Sequence, residues 1–444
     1  MLEAGLVSFA GLGLPQLLRA AAGPNAGITG AEFGRAKSCI LVFAWGGPSH
    51  LDTWDMKPEA PEDIRGEFRP IATRTPGLQI CEHFPKLARQ THRLTVIRSM
   101  SHDDPAHLST VHRMQTGHLA PRPKSDADGP SSNDWPHLGS VVARLLPPRG
   151  ALPPAVIMPW IVSHPAAPGG KAPGQHGGWL GSRFDPFLVE GDPNSDAFRV
   201  GGMSLPEGVD FDRLAARRRL LDEASLDLGG GSQSAWDGFQ ARAMSALESA
   251  EARGAFELAR EDPRLRDRYG RHIHGQCLLL ARRLVEAGVR LVTVNWHDDG
   301  QAFWDTHGNN FPALKQRLMP PTDQGLSALL DDLDSRGLLD ETLVVWVGEF
   351  GRNPRINRQS AGREHWPRCY CAVMAGAGVP GGQIYGASDR LGAYPTSDLV
   401  RPEELAATML HALGVSASSE LADALGRPMR VSEAEPVLAL LGGA

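Results

Sequence analysis

The 444-residue sequence predicts one large α/β domain with a mostly parallel sheet and an internal helical excursion. Three patterns predict it. Val-rich runs of strand length alternate with helical segments through the C-terminal half, and an apolar run near residue 40 empties into Gly46-Gly47-Pro48. The 50 glycines and 35 prolines imply many turns and long ordered loops rather than a helical bundle. Lys plus Arg number 45 against 51 Asp plus Glu, a formal charge of −6, which gives no general attraction to nucleic acid or anionic lipid.

Taken in order, residues 6–22 (LVSFAGLGLPQLLRAAA) are apolar and small-residue rich, interrupted by Pro15 and Arg19. They fit either an export-signal remnant or a local amphipathic helix, and are too short for a membrane span. Residues 39–45 read as a buried strand feeding a glycine loop, and 94–97 as a second strand leading into a histidine-rich loop. Residues 136–146 read as a helix opened by proline, and 155–158 as a strand. The stretch 163–206 reads as long ordered loops. Helices are expected over 211–221 and 236–259, separated by a glycine-rich joint at 228–232, so that about 163–262 forms a loop-rich and helical insertion. Alternation then resumes: helix 276–287, strand 289–294, helix 324–336, strand 342–347, strand 370–374 and helix 401–413. Residues 1–36 are expected to be an export remnant or N-terminal extension, and 37–444 a single domain. The cysteines Cys39, Cys81, Cys277, Cys369 and Cys371 are odd in number and irregular in spacing, which argues for buried small hydrophobes rather than a disulfide framework.

Two histidine-and-acid segments follow Val-rich runs: 304–310 (WDTHGNN), and 348–352 (GEFGR) with 362–367 (GREHWP). Strand ends in open α/β sheets are where ligand sites form. Asp305 and His307, two apart, point the same way in an extended segment and are candidate ligands of one ion; a turn held by side-chain hydrogen bonds is the bland alternative. Glu349 is a candidate metal ligand or base and Arg352 an anion clamp, against a salt bridge between the two. His365 lies in a polar loop, as a ligand or a surface histidine. Asp52 and Asp55 offer oxygen ligands or turn caps beside a Gly46-Gly47 pair that could nest a phosphate. His107, Ser109 and Thr110 sit near an expected helix start, where exposed N–H groups favour an anion or an activated nucleophile, or simple capping by Ser109.

In combination these residues resemble the bacterial, planctomycete-rich family of domain of unknown function 1501, related to the alkaline phosphatase and sulfatase superfamily. The resemblance runs through 44–55 (AWGGPSHLDTWD), 64–68 (IRGEF), Thr116-Gly117, Asp305-Thr306-His307, 348–352, 362–367 and 386–389 (GASD), in order over nearly the whole chain. It implies a three-layer alkaline-phosphatase-like fold with a large mostly parallel central sheet, one or two divalent ions, and a nucleophile at a helix start. The ion's identity is open among zinc, calcium, manganese and magnesium. It implies that Asp305, His307 and His365 hold one metal. Glu349 stands where an acid of the second metal's Asp-His pair belongs, and Phe350 stands at the histidine position and cannot coordinate. Asp52 is a displaced substitute for an acid after the first strand, and the nucleophile position falls at His107, with Ser109 and Thr110 nearby. Members often carry a twin-arginine export signal, which favours a periplasmic or exported location; the twin arginines are absent here, which leaves a cytoplasmic one open.

The expected activity is metal-assisted hydrolysis of a sulfate or phosphate ester, with a small anionic ester or a sulfated or phosphorylated glycan as partner. Asp305, His307 and His365 would hold the principal ion, Glu349 and Asp52 a second ion or a water. Arg352 and His107 would neutralise developing charge, and Ser109 or Thr110 would be the nucleophile. A non-catalytic metal-containing binding or assembly protein is the alternative. Oligomeric state has no sequence signal.

Overall fold

Residue alternation along fully buried strands divides the core into two halves, one on each face of a central sheet. The computed structural model describes residues 32–203, 249–296 and 303–443, with isolated positions between 213 and 248. Eight strands form the sheet: β1 (Ser38–Phe43), β2 (Leu94–Met100), β3 (Ala155–Met158), β4 (Phe187–Leu188), β5 (Leu291–Asn295), β6 (Thr342–Val347), β7 (Tyr370–Ala375) and β8 (Gln383–Tyr385). Their order is β8-β2-β7-β6-β1-β5-β3-β4. Only β7 runs antiparallel to its neighbours in this sheet.

The helices that cover it are α1 (His107–Thr116), α2 (Leu138–Leu145), α3 (Ile273–Glu286), α4 (Met319–Ser335) and α5 (Pro402–Ala412). Ile40 and Val42 of β1, with Val344 and Trp346 of β6, pack with Leu278 of α3 and Leu329 of α4. The intervening Leu41, Phe43, Val345 and Val347 pack with Leu108 of α1, Val141 of α2 and Met409 of α5. A period of two on a doubly covered strand requires this partition, and it makes both sets of these positions apolar. The result is the three-layer, mostly parallel alkaline-phosphatase-like arrangement expected from the sequence.

Several boundaries move for local reasons. Helix α3 begins at Ile273 rather than 276, because the His272 side chain accepts a hydrogen bond from Gly275 N and caps the helix. Helix α4 begins at Met319 rather than 324 and carries Pro320 and Pro321 in its first turn, where each removes one N–H donor from the helical ladder. A π-helical segment, Leu314–Leu318, leads into it. The edge strands β4 and β8 were not expected; at 2 and 3 residues they show no periodicity. All five cysteines are free and buried. The expected helix at 211–221, most of that at 236–259, the joint at 228–232 and the N-terminal apolar stretch lie outside the described residues; within 236–259, Ala250–Ala255 is helical.

Candidate metal centre

Strands β6, β1 and β5 lie side by side and end level, with Phe43 in register with Val347 on one side and Asn295 on the other. Chain leaving these ends makes the site. Beyond β1, Gly46 and Gly47 both have positive φ (103° and 73°). Trp304 N donates to Trp45 O at 2.8 Å, which brings the Asp305 segment against the glycine pair. The two C-terminal segments are laced together: Arg363 N donates to Thr306 O, Asn309 N to Ser360 O, and Ser360 Oγ to His307 O. His365 pairs with Arg352 in a short antiparallel ladder. Helix α1 then supplies His107 from its first position, packed against Trp45 with ring centroids 4.8 Å apart.

One ligand atom from each of His107, Asp305, His307 and His365 lies within 4.8 Å of the other three. Asp305 is central: its carboxylate stands 3.1 Å from His307 Nε2, 3.2 Å from His365 Nε2 and 3.4 Å from His107 Nε2. The two exposed-side imidazoles meet Nε2 to Nε2 at 2.8 Å. Each ring is held from behind at Nδ1. His107 Nδ1 donates to Glu349 Oε1 at 2.7 Å, His307 Nδ1 to Glu364 Oε2 at 2.5 Å, and His365 Nδ1 to Pro105 O at 2.7 Å. Carboxylates and carbonyls only accept, so in the neutral rings the proton sits on Nδ1 and the lone pair on Nε2.

Three lone pairs and a carboxylate therefore converge on one point, and only a cation or added protons reconcile them. His107 Nε2 is buried and faces the Asp305 carboxylate in a long contact of 3.4 Å. Burial works against a charged His107, yet its hydrogen bonds to Asp305 and Glu349, and their charges, push its pKa up to about 9. Burial likewise opposes an ionised Asp305, but hydrogen bonds from the three histidines and the charge of Arg352 hold it far below the usual carboxylate range. The hydrogen bond to Asp305 raises His307, while burial lowers His365. Imidazole nitrogen ligands, each backed by an outer hydrogen bond, with one carboxylate form a donor set that fits a divalent metal. The quartet could chelate one such ion.

The other residues singled out from sequence are placed differently. Glu349 is fully buried and lies behind His107, with both oxygens also accepting from Gly46 N at 3.0 and 3.1 Å. Gly46 thus binds a carboxylate of the same chain at the position where a phosphate nest was expected. Arg352 has no exposed surface: Nε donates to Gly47 O, Nη1 to Arg363 O, and Nη2 to Gly46 O and Asp305 Oδ1. It is paired with Asp305 rather than with Glu349. Asp52 is enclosed by Arg363 Nε and Nη2 at 2.8 and 3.0 Å and by Asn310 Nδ2 at 3.0 Å. Asp55 is engaged by Lys57, Arg98 and Ser388. Ser109 Oγ donates to Asp104 Oδ2 at 2.7 Å, and Thr110 Oγ1 back to Ala106 O and His107 O, so both hydroxyls serve the start of α1.

Phe350 is fully buried, its ring 4.8 Å from His107 and 4.5 Å from His365 by centroid, so a hydrocarbon face closes that flank. Two contributors had no sequence signal of their own. Glu364 was only a polar neighbour of His365, and His164, 5.4 Å ring to ring from His107, arrives from the long loop region.

The profile of a family described as a protein of unknown function, DUF1501, matches residues 36–441. The chain belongs to the DUF1501 family. No curated protein matches this DUF1501 chain in sequence. Solved structures similar to it include the PsFucS1 sulfatase from Pseudoalteromonas sp., at 14% identity over 87% of this chain and 69% of that one, with a TM-score of 0.39. The alkaline phosphatase of the Antarctic bacterium TAB5 is 12% identical over 86% and 99%, with a TM-score of 0.37. The C-terminal periplasmic domain of EcEptC from Escherichia coli, in complex with Zn, is 8% identical over 94% and 98%, with a TM-score of 0.34. Likeness this low bears neither on the site residues nor on activity.

Proposed function

We propose that this DUF1501 chain is a mononuclear metal-dependent hydrolase of sulfate or phosphate esters, including esters carried on glycans. The observation that carries the reading is the convergence of three Nε2 lone pairs, each with its Nδ1 proton committed elsewhere, on the Asp305 carboxylate. Three nitrogen ligands and one oxygen suit zinc, iron or a similar transition metal better than calcium or magnesium, which prefer all-oxygen sites. Phe350 beside His107 and His365 favours one ion over two.

When bound, a divalent ion here would polarise a phosphoryl or sulfuryl oxygen and acidify water. His107, Asp305, His307 and His365 hold it; one carboxylate among neutral imidazoles leaves that unit with net positive charge, which attracts an anionic ester. The His307 side chain is 42% exposed and that of His107 3%, so the centre is closed beneath and open to solvent on the His307 side, as a catalytic rather than a structural site requires. With Ser109 and Thr110 bonded into α1, water is the attacking group in this reading. No described helix is long and apolar enough to cross a membrane; export remains a proposal resting on residues 6–22.

Metal analysis of the purified protein, with turnover of aryl sulfates and aryl phosphates before and after chelation, tests this. One ion per chain, activity lost on chelation and both lost in H307A are expected. A tightly bound ion with no turnover across the panel would favour a non-catalytic binding protein, and absence of bound metal would overturn both.

A further inference from the structure

Two residues of the segment after β6 reach two different members of the quartet. Glu349 accepts a hydrogen bond from His107 Nδ1 at 2.7 Å, and Arg352, three residues on, donates to Asp305 Oδ1. Both are anchored on the same glycine strap: Gly46 N donates to the Glu349 carboxylate, and the carbonyls of Gly46 and Gly47 accept from Arg352. The strap must be glycine, because a Cβ on Gly46 would lie 2.4 Å from Asp305 N, and one on Gly47 2.6 Å from the Phe350 ring. Glu349 is also fixed by its main chain. His102 Nε2 donates to Glu349 O at 2.8 Å, and its Nδ1 accepts from Asp104 N at 3.1 Å, which sets its tautomer.

Resting on the metal-centre reading above, we infer that Glu349 and Arg352 are positioning residues. Glu349 acts through His107 and Arg352 through Asp305, and neither touches the ion or the substrate. Turning Glu349 inward as a ligand would strand the buried Gly46 N–H and release the His107 proton. Turning Arg352 toward a substrate would strand three buried carbonyls, those of Gly46, Gly47 and Arg363, and unpair Asp305. The strap thereby sets the distance between a ligand on helix α1 and a ligand on the loop beyond β5, which no local segment could set alone. Loss of such outer partners characteristically weakens metal binding about 10–100-fold.

The test is cobalt(II) binding to the metal-free full-length protein, read by chelator competition and by the visible d–d spectrum, with folding followed by circular dichroism. E349Q and H107A should each weaken binding about 10–100-fold and shift the bands. In an H107A background, E349Q should change affinity by less than about twofold, because its route to the ion is already cut. R352K and D305N should form a second non-additive cycle, which decides the matter if E349Q does not fold. Wild-type affinity and spectrum in E349Q, or losses that add fully in the cycles, would overturn the inference. Failure of the wild-type protein to bind cobalt would instead overturn the metal centre itself.

Discussion

Asp52 and Asp305 are both acids beside the same sheet edge, and their neighbours give them different work. Asp52 faces a buried guanidinium, Arg363, with no exposed surface on either side chain. Removing one partner of such a pair leaves an uncompensated charge, at a cost of about 3–5 kcal/mol. D52A should therefore lower unfolding free energy by that amount in denaturant titration, while the folded fraction keeps its metal. A metal-ligand role for Asp52 predicts the opposite balance. Gly46 is governed by space. Its φ is 103°, and a Cβ there would lie 2.4–2.8 Å from backbone atoms of Trp304 and Asp305, which cannot swing aside as a side chain would. G46A should cost at least about 1–3 kcal/mol and reduce metal occupancy, measured on the same samples. The twin glycines were legible as a special turn. That Gly46 holds Glu349, from 303 positions away, was not.

At the scale of elements, helix α1 brings His107 to the quartet, and its own hydroxyls stabilise its first turn. Ser109 and Asp104 form the side-chain bond across that turn, and Asp104 also accepts from Ala106 N and Lys124 N. The double variant S109A/T110A should lose about 1–2 kcal/mol of stability from its missing hydrogen bonds and retain metal binding and turnover within a few-fold. A covalent role for either hydroxyl predicts near-complete loss of turnover, and steady-state assays on the two single variants would locate it. A helix start near His107, Ser109 and Thr110 was legible, since residues that can cap a helix are a local feature. Which of its side chains faces the sheet edge depends on the roll of α1 against α5 and the sheet, which is a packing outcome.

For the whole molecule, acid sensitivity follows from histidines held neutral inside the fold. Burial lowers His112 to about 4 and His137 to about 3. Both act as acceptors in their neutral form, His112 Nε2 from Trp135 N and His137 Nδ1 from Gly139 N. Their unfolded pKa is about 6.5, so the unfolded chain binds these protons first and the fold is penalised as pH falls from there. The contribution is fully present above about pH 6.5 and is lost progressively toward pH 3–4, on the order of 3 kcal/mol for His112 and on the order of 5 kcal/mol for His137. Urea midpoints measured between pH 7.5 and 4.5 should fall, and H112Q should flatten the fall.

Fold class and the segments that form the candidate site were legible in the sequence itself. Fully apolar strands, helical spacing and glycine-bounded strand ends are written within windows of some ten residues. Asp305, His307 and His365 stood out in the same way, because their segments are short and their residue types are those a metal prefers. Tertiary structure alone decided which fourth side chain lies beside these three and which residues stand behind them. His107 moved into the quartet, Glu349 and Arg352 moved behind it, and Asp52 became the partner of Arg363. Those outcomes turn on which side chains meet across β1, β5, β6 and α1, whose residues are up to about three hundred positions apart. A charged or polar residue has several chemistries open to it, and in a buried site the partner it finds selects one.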